Sequence, residues 1–223
     1  MSIKSQNIAF IILIGGKSTR FGSDKGIFEF LGKPLLSYQL ETLIQFNRDI
    51  FIVAHSQKQI ALYKEKIDFA ERISFITDNL ELVEDKDLRT PMIGLYSAFK
   101  ELSNLDYEKA FTFSCDSPLI KSEVVDLMLR QAEGYDCYIP RWESGFLEPL
   151  FGIYPVKEAF TQAKDSLLNK TYKLTNLINE NWKVNYIPIE YNIKPLDENL
   201  ISFTNVNGPI DIEKLMEIYQ GIK

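Results

Sequence analysis

From Leu13 to Lys25 the chain reads LIGGKSTRFGSDK, a stretch of glycines, hydroxyls and cations that follows the apolar run Ile8 to Leu13. A phosphate chain needs backbone N–H groups aimed at it and cations beside it. Gly15, Gly16 and Gly22 let the backbone approach a ligand closely. Lys17, Arg20 and Lys25 bring positive charge, and an arginine can grip two phosphate oxygens at once. The stretch is therefore expected to hold the phosphates of a nucleoside triphosphate. It is not a Walker loop: Gly16-Lys17-Ser18 has the right end, but the earlier glycine of G-x-x-x-x-G-K-[ST] falls on Ile11. It is not a dinucleotide fingerprint either, because Ser18 stands where G-x-G-x-x-G needs its second glycine. An ordinary glycine turn after a buried strand is the competing reading.

Two carboxylates stand at the ends of other apolar runs. Asp78 follows Ile73 to Thr77, and Asp116 follows Ala110 to Ser114. Ligands of open α/β sheets bind outside the carboxyl ends of the strands, so both fall on the ligand side. Asp116 suits a magnesium ion, which takes one or two carboxylates together with phosphate oxygens and water. Either aspartate would serve equally as a turn or cap residue. His55, the only histidine, ends the run Asp49 to Ala54 and shares that edge. Cys115 and Cys137 have neither metal-ligand spacing nor the count of a disulfide framework, and are expected to be reduced thiols. Cys115, with no base beside it, reads as a small core residue.

The elements that must position these residues follow from periodicity. Ile8 to Leu13 suits a strand buried on both faces. Ile27 to Leu31 is a short β-like piece, and Pro34 opens a helix to about Phe46. Strands are expected at Asp49 to Ala54, Ile73 to Thr77 and Ala110 to Ser114, with helices at Gln57 to Lys66, Met92 to Leu102 and Ser122 to Glu133. Thr90-Pro91 reads as an N-cap with proline behind it. Asn79 to Thr90 carries Glu81, Glu84, Asp85 and Asp87 and is expected to be a solvated, mobile loop. Tyr135 to Arg141 and Phe146 to Tyr154 read as strands joined by Trp142 to Gly145. Pro155 opens a helix to about Leu168, Tyr172 to Asn179 is a short helix, Lys183 to Ile189 a strand, Tyr191 to Asn199 a loop, and Pro209 opens a last helix to about Tyr219. Alternating strands and helices predict an α/β fold, three-layered, with a mostly parallel but mixed sheet flanked by helices.

Composition bounds the rest. A chain of 223 residues with 45% apolar and 25% charged content can bury one substantial α/β core, so a single domain over residues 1–223 is expected. The net charge of −6 argues against a nucleic-acid binder, whose footprint would be basic. The run after the polar start Met1 to Asn7 is too brief for a signal or membrane helix, so a cytoplasmic protein is expected.

Leu13-Ile14-Gly15-Gly16, Arg20-Phe21-Gly22, Asp24-Lys25-Gly26 and Leu31-Gly32-Lys33-Pro34-Leu35 together resemble the signature LAGGxSxRMGxDKxxxxxxGKPL of molybdenum cofactor guanylyltransferases. Thr90-Pro91-Met92-Ile93-Gly94 is similar to that family's GPLAG, Cys115-Asp116-Ser117-Pro118 to its CDxP, Glu148-Pro149-Leu150-Phe151-Gly152 to its xEPLxAxY, and the segment Phe203 to Pro209 to its FxNxNTPED. The resemblance implies a Rossmann-like nucleotidyltransferase fold and transfer of GMP from GTP to molybdopterin. It implies that Leu13, Ile14, Gly15, Gly16 and Asp78 read the base, that Arg20 and Lys25 stabilise charge on the phosphates, and that Asp116 holds Mg²⁺. It places an asparagine where this chain has His55, a nucleotide contact. It brings Asn205 and Asn207 to the second substrate, although Asn207 would also serve as a helix N-cap. Transient contact with molybdenum-insertion and molybdoenzyme-maturation proteins is implied as well. Within the resemblance the second glycine of LIGG favours guanine, since the cytidylyl relatives carry LAAG. A CTP-dependent transferase acting on molybdopterin or on a sugar or polyol phosphate is the alternative, and an inactive nucleotide-binding regulator is a third reading.

Overall fold

The structure, a computed structural model, describes residues 7–15 and 24–221. In chain order its elements are β1 (Ile8–Leu13), β2 (Glu29–Phe30), β3 (Lys33–Pro34), α1 (Leu35–Ile44), β4 (Ile50–Ala54), α2 (Gln57–Lys66), β5 (Ile73–Thr77), α3 (Pro91–Asn104), β6 (Lys109–Ser114), α4 (Ser122–Gln131), β7 (Cys137–Arg141), β8 (Ile153–Pro155), α5 (Val156–Leu168), β9 (Val184–Pro188) and α6 (Pro209–Gly221). Seven of the strands form one sheet in the order β5-β4-β1-β6-β8-β7-β9. The pairs β5–β4, β4–β1, β1–β6 and β7–β9 are parallel, and β8 runs against both of its neighbours. A three-layer α/β fold with a mostly parallel, mixed sheet is what the alternating pattern predicts.

The period of a strand explains the layering. Ile8, Phe10 and Ile12 of β1 point to one face, where they meet Leu36, Leu40 and Leu43 of α1, Ile60 and Tyr63 of α2 and Val124 and Met128 of α4. Ala9, Ile11 and Leu13 point to the other face, into the cluster built by α3 and α5. Because helices cover both faces, β1 is apolar throughout rather than alternating. A third, smaller cluster joins Phe30, Leu35, Leu119, Ile201, Val206 and Leu215, which seats α6 beside the segment after β6.

Several boundaries differ from expectation for local reasons. Ile27 to Leu31 is a 3₁₀ turn, Lys25–Ile27, leading into a strand of only Glu29–Phe30. Phe146 to Tyr154 is not one strand. Pro149 has no N–H for a ladder, and Pro149–Phe151 winds into a 3₁₀ turn, leaving β8 as three residues. Tyr172 to Asn179 contains a 3₁₀ turn, Leu174–Leu177. Residues expected in the loop Tyr191 to Asn199 begin inside a π-helical turn, Ile189–Ile193. Among the described residues no helix is long and apolar enough to cross a membrane.

Phe10 marks the centre of the first core. It is fully buried and meets Phe46, Phe111 and Phe113 edge-on at ring-centroid distances of 6.1, 6.0 and 5.6 Å. Phe10→Ala should cost about 3–5 kcal/mol through lost transfer energy and the cavity left behind, read as a lower urea midpoint at unchanged slope.

Candidate active site

The chain leaves β1, adds β4 and β5 on one side, then returns to place β6 on the other. That reversal opens a crevice at the carboxyl ends of β1 and β6, where doubly wound sheets bind ligands. The strand ends are locked to one another there. Cys115 donates its backbone N–H to Leu13 (3.1 Å), Ile14 to Val53 (3.0 Å) and Asp78 to Ala54 (2.8 Å). Leu13, Asp78 and Asp116 are thereby brought to one edge from three separate strands.

Two clefts open along this edge. The first, of about 330 Å³, is walled by Leu13, Gly15, Lys25, Asp78, Ser114, Asp116 and the start of α3 at Arg89 to Pro91 and Gly94. The second, of about 190 Å³, is walled by Gln39, Asp116, Ser117, Glu148, Phe203 and Asn205 among others. Ser114, Asp116 and Leu150 belong to both walls, so the clefts abut at Asp116.

Lys25 joins the distant segments. Its ammonium donates to Asn207 Oδ1 at 2.7 Å and lies 3.8 Å from Asp116 Oδ2. Asp116 and Asn207 therefore present two hard oxygen donors to one positive centre, with the ammonium standing where a cation would be shared. This donor set fits Mg²⁺, which takes few protein oxygens and completes its shell from phosphate and water. Among the described residues no group of three His, Cys, Asp or Glu side chains is placed for a metal, so such an ion would depend on its phosphate ligands.

The Asp116 loop is held by α1. Gln39 is fully buried, and its amide nitrogen donates to the carbonyls of Ser114 and Ser117, each at 3.0 Å. The same loop grips the asparagine-rich segment: Val206 donates its N–H to the Asp116 carbonyl (2.7 Å) and Ser117 Oγ pairs with Asn205 Oδ1 (2.7 Å). Asn207 is not simply a helix cap, because its side-chain oxygen is taken by Lys25.

A second bracket holds the residue before Lys25. Asp24 accepts from the Tyr63 hydroxyl at 2.5 Å and from the Gln59 amide. Gln59, also buried, donates to the Ile14 carbonyl (3.0 Å) and accepts from the His55 backbone N–H (2.9 Å). One glutamine thus fixes the end of β1, the end of β4 and the base of Lys25. Gly26 makes room for this: a Cβ there would stand 2.4 Å from the Tyr63 hydroxyl. His55 therefore contributes its backbone to the bracket, while its ring lies outside both cleft walls with Nδ1 buried and without a hydrogen-bond partner among the described residues.

Charge within the site is set by burial. Burial pushes the Asp78 carboxyl up to about 6, and the Arg89 guanidinium partly opposes the rise. Burial also raises Glu148, which is held at 2.7 Å by the Trp142 indole N–H and feels the nearby Asp116. The Cys115 thiol is pushed well above its ordinary range by full burial, so it is an inert core residue as expected.

Of the sequence-predicted residues, Leu13, Gly15, Lys25, Asp78 and Asp116 wall the first cleft, and Asn205 walls the second. Ile14 is buried beside them. Gly16 and Arg20, with Lys17, Ser18 and Gly22, lie outside the described residues. The loop Asn79 to Thr90 is solvated as expected, with Glu81, Glu84, Asp85 and Asp87 exposed, and it is also tied to the body of the fold. Glu81 accepts from Tyr96 (2.5 Å) and Lys100 (2.7 Å), Glu84 pairs with Lys170 (2.7 Å), and Val83 is buried. Gln39, Gln59 and Tyr63 are missed by sequence reading. Their one signal is polarity on an apolar helical stripe: Gln39 lies between Leu36 and Leu43, and Gln59 beside Ile60.

Several known proteins are similar to this chain in sequence and in fold. A chain from Natranaerobius thermophilus named probable molybdenum cofactor guanylyltransferase is 31% identical over 213 residues, covering 94% of this chain and 95% of its own. One of the same name from Thermococcus gammatolerans is 34% identical over 209 residues, covering 92% and 96%. The crystal structure of molybdopterin-guanine dinucleotide biosynthesis protein A from Archaeoglobus fulgidus superposes with a TM-score of 0.74 at 25% identity, covering 96% of this chain and 99% of that one. The pattern of the MobA-like NTP transferase domain matches residues 10–182, and the chain belongs to that family.

Proposed function

We propose that the chain transfers GMP from GTP to the terminal phosphate of molybdopterin, with or without molybdenum, releasing pyrophosphate and forming the guanine dinucleotide. The observation that carries this reading is the pair of clefts abutting at Asp116. A nucleotide in the first and a phosphorylated acceptor in the second would meet with their phosphates at the shared wall. The relatives' common name supports the identity of both substrates.

The chemistry asks for alignment and charge neutralisation rather than a base. A phosphate oxygen of the acceptor is already anionic at neutral pH. It attacks the α-phosphorus, a new P–O bond forms, the bond to the β-phosphate breaks, and pyrophosphate leaves. In this reading Lys25, steadied by the Asp24 bracket, and Arg20 bind the charge that develops on the phosphates. Leu13 to Gly16 offer backbone to the nucleotide, and His55 contributes by fixing that backbone through Gln59. Asp78 accepts the N1–H and N2–H₂ donors of guanine, which cytosine lacks. Asn205 and Asn207 orient the acceptor. Asp116 and Asn207 would hold Mg²⁺, which when bound neutralises phosphate charge.

With GTP, Mg²⁺ and molybdopterin the protein should release pyrophosphate, and with CTP in place of GTP it should release little. The reverse preference would refute the guanine assignment. Asp116→Ala and Lys25→Ala should each lower kcat by about 10²-fold or more, with the urea midpoint close to wild type.

The Asp78 carboxyl must be ionised to accept guanine's donors. Its raised value of about 6 makes the protonated, non-accepting form dominant at pH 5. GTP affinity should therefore rise as pH increases from 5 to 7, by about tenfold, and level off above. In Asp78→Asn this component should vanish while the titration of GTP itself persists. Calorimetric Kd values for both proteins across that range test the assignment.

A further inference from the structure

Arg89 stands in the wall of the first cleft with Asp78, Thr90, Pro91 and Gly94. It directly precedes Thr90, the N-cap of α3, whose hydroxyl accepts from the Met92 N–H, so its backbone is fixed by the start of a buried helix. Its Nη1 donates to the carbonyls of Lys86 (2.8 Å) and Leu88 (2.9 Å). The segment before it is braced in turn, because Lys86 Nζ donates to the carbonyls of Leu80 (2.6 Å) and Val83 (2.7 Å), and Glu81 is tied to Tyr96 and Lys100. A guanidinium has five N–H donors in a rigid fork, and the two carbonyl bonds to Lys86 and Leu88 engage one nitrogen only. The first cleft therefore presents a carboxylate acceptor on one side, at the end of β5, and an arginine donor on another, at the start of α3.

We propose that Arg89 is a specificity-determining residue that donates to the O6 and N7 acceptors of guanine while Asp78 takes the N1–H and N2–H₂ donors. The inference rests on the GTP reading above. Guanine carries its donors and acceptors on adjoining edges, and paired donation from arginine to O6 and N7 matches the guanidinium fork. Adenine places an amino group where O6 would be, which sets donor against donor. Cytosine has no N7 to complete the pair. Discrimination would then come from an attractive pairing and a built-in mismatch together.

Analogues that alter one edge at a time test this. 7-Deaza-GTP replaces N7 by C–H, 6-thio-GTP weakens the acceptor at position 6, and ITP lacks only the N2 amino group. Wild type should bind GTP on the order of tenfold more tightly than 7-deaza-GTP, with a similar loss for 6-thio-GTP. In Arg89→Ala both differences should vanish while the preference for GTP over ITP, which reports on Asp78, remains. Arg89→Lys keeps the charge without the fork and should recover only part of the discrimination. If Arg89→Ala weakens GTP and 7-deaza-GTP equally, the arginine serves phosphate or scaffold and the proposal falls. Wild type indifferent to both altered bases overturns it without any variant. A wild type that binds GTP no better than CTP would instead sink the GTP reading itself, so the two failures are separable.

Discussion

The cleft depends on one buried amide. Gln39 spans the two carbonyls that flank Asp116, donating to Ser114 on one side and Ser117 on the other. These bonds fix its orientation, since a reversed amide would set oxygen against both carbonyls. A buried amide of this kind keeps its geometry because its own donors would otherwise be left unpaired, at about 1–3 kcal/mol. The ion pair between Lys25 and Asp116 cannot play that part. At 3.8 Å and partly exposed on both sides, it is of the kind worth about 0–1 kcal/mol. Gln39 and the backbone bond from Val206 set where Asp116 stands, and Lys25 then responds to it.

This division of labour recurs at Asp24. Buried Gln59 and Tyr63 carry the geometry, and the half-buried end of the bracket carries the charge. Burial of the Tyr63 hydroxyl raises it far above the ordinary phenol range, so it remains a donor to Asp24 at any working pH. The chain as a whole is acidic, at −6, yet cations and carboxylates alternate along the cleft edge: Arg89 beside Asp78, and Lys25 beside Asp116. Such a lining suits a ligand that is anionic at one end and a neutral heterocycle at the other better than it suits a uniform polyanion.

Much of this was legible in the residues because local signals and tertiary roles coincide. The unbroken apolar run of β1, the proline at the start of α3 and the aspartates at strand ends all mean in the fold what they mean in sequence. The failures have a common cause. In Asn79 to Thr90 the charges are solvated as they read, but the partners that tie the loop down are remote in sequence: Tyr96 and Lys100 lie on α3, and Lys170 lies beyond α5. Gln39 and Gln59 were hidden because a single polar residue on an apolar stripe is easily passed over, although burial makes it costly and hence positional. At Phe146 to Tyr154 the apolar content suggested a strand, and Pro149 decided otherwise.

That last segment shows why one strand must run backwards. In a parallel sheet, only the loops that follow strands reach the carboxyl edge. Because β8 is antiparallel to β6, with Ala110 opposite Tyr154 and Phe111 opposite Ile153, the residues that precede β8 arrive there instead. Thr112 then receives them: its N–H and hydroxyl donate to the Gly152 carbonyl, and the hydroxyl also reaches Pro149. Tyr154 folds back to give its hydroxyl to Pro149 at 2.8 Å, close enough to Gly152 that a Cβ there would stand 2.8 Å from the ring. The 3₁₀ turn that breaks the expected strand is thus what delivers Glu148 and Leu150 to the cleft walls. Reversing one short strand gives the parallel edge a second wall, and with it room for a second ligand beside the first.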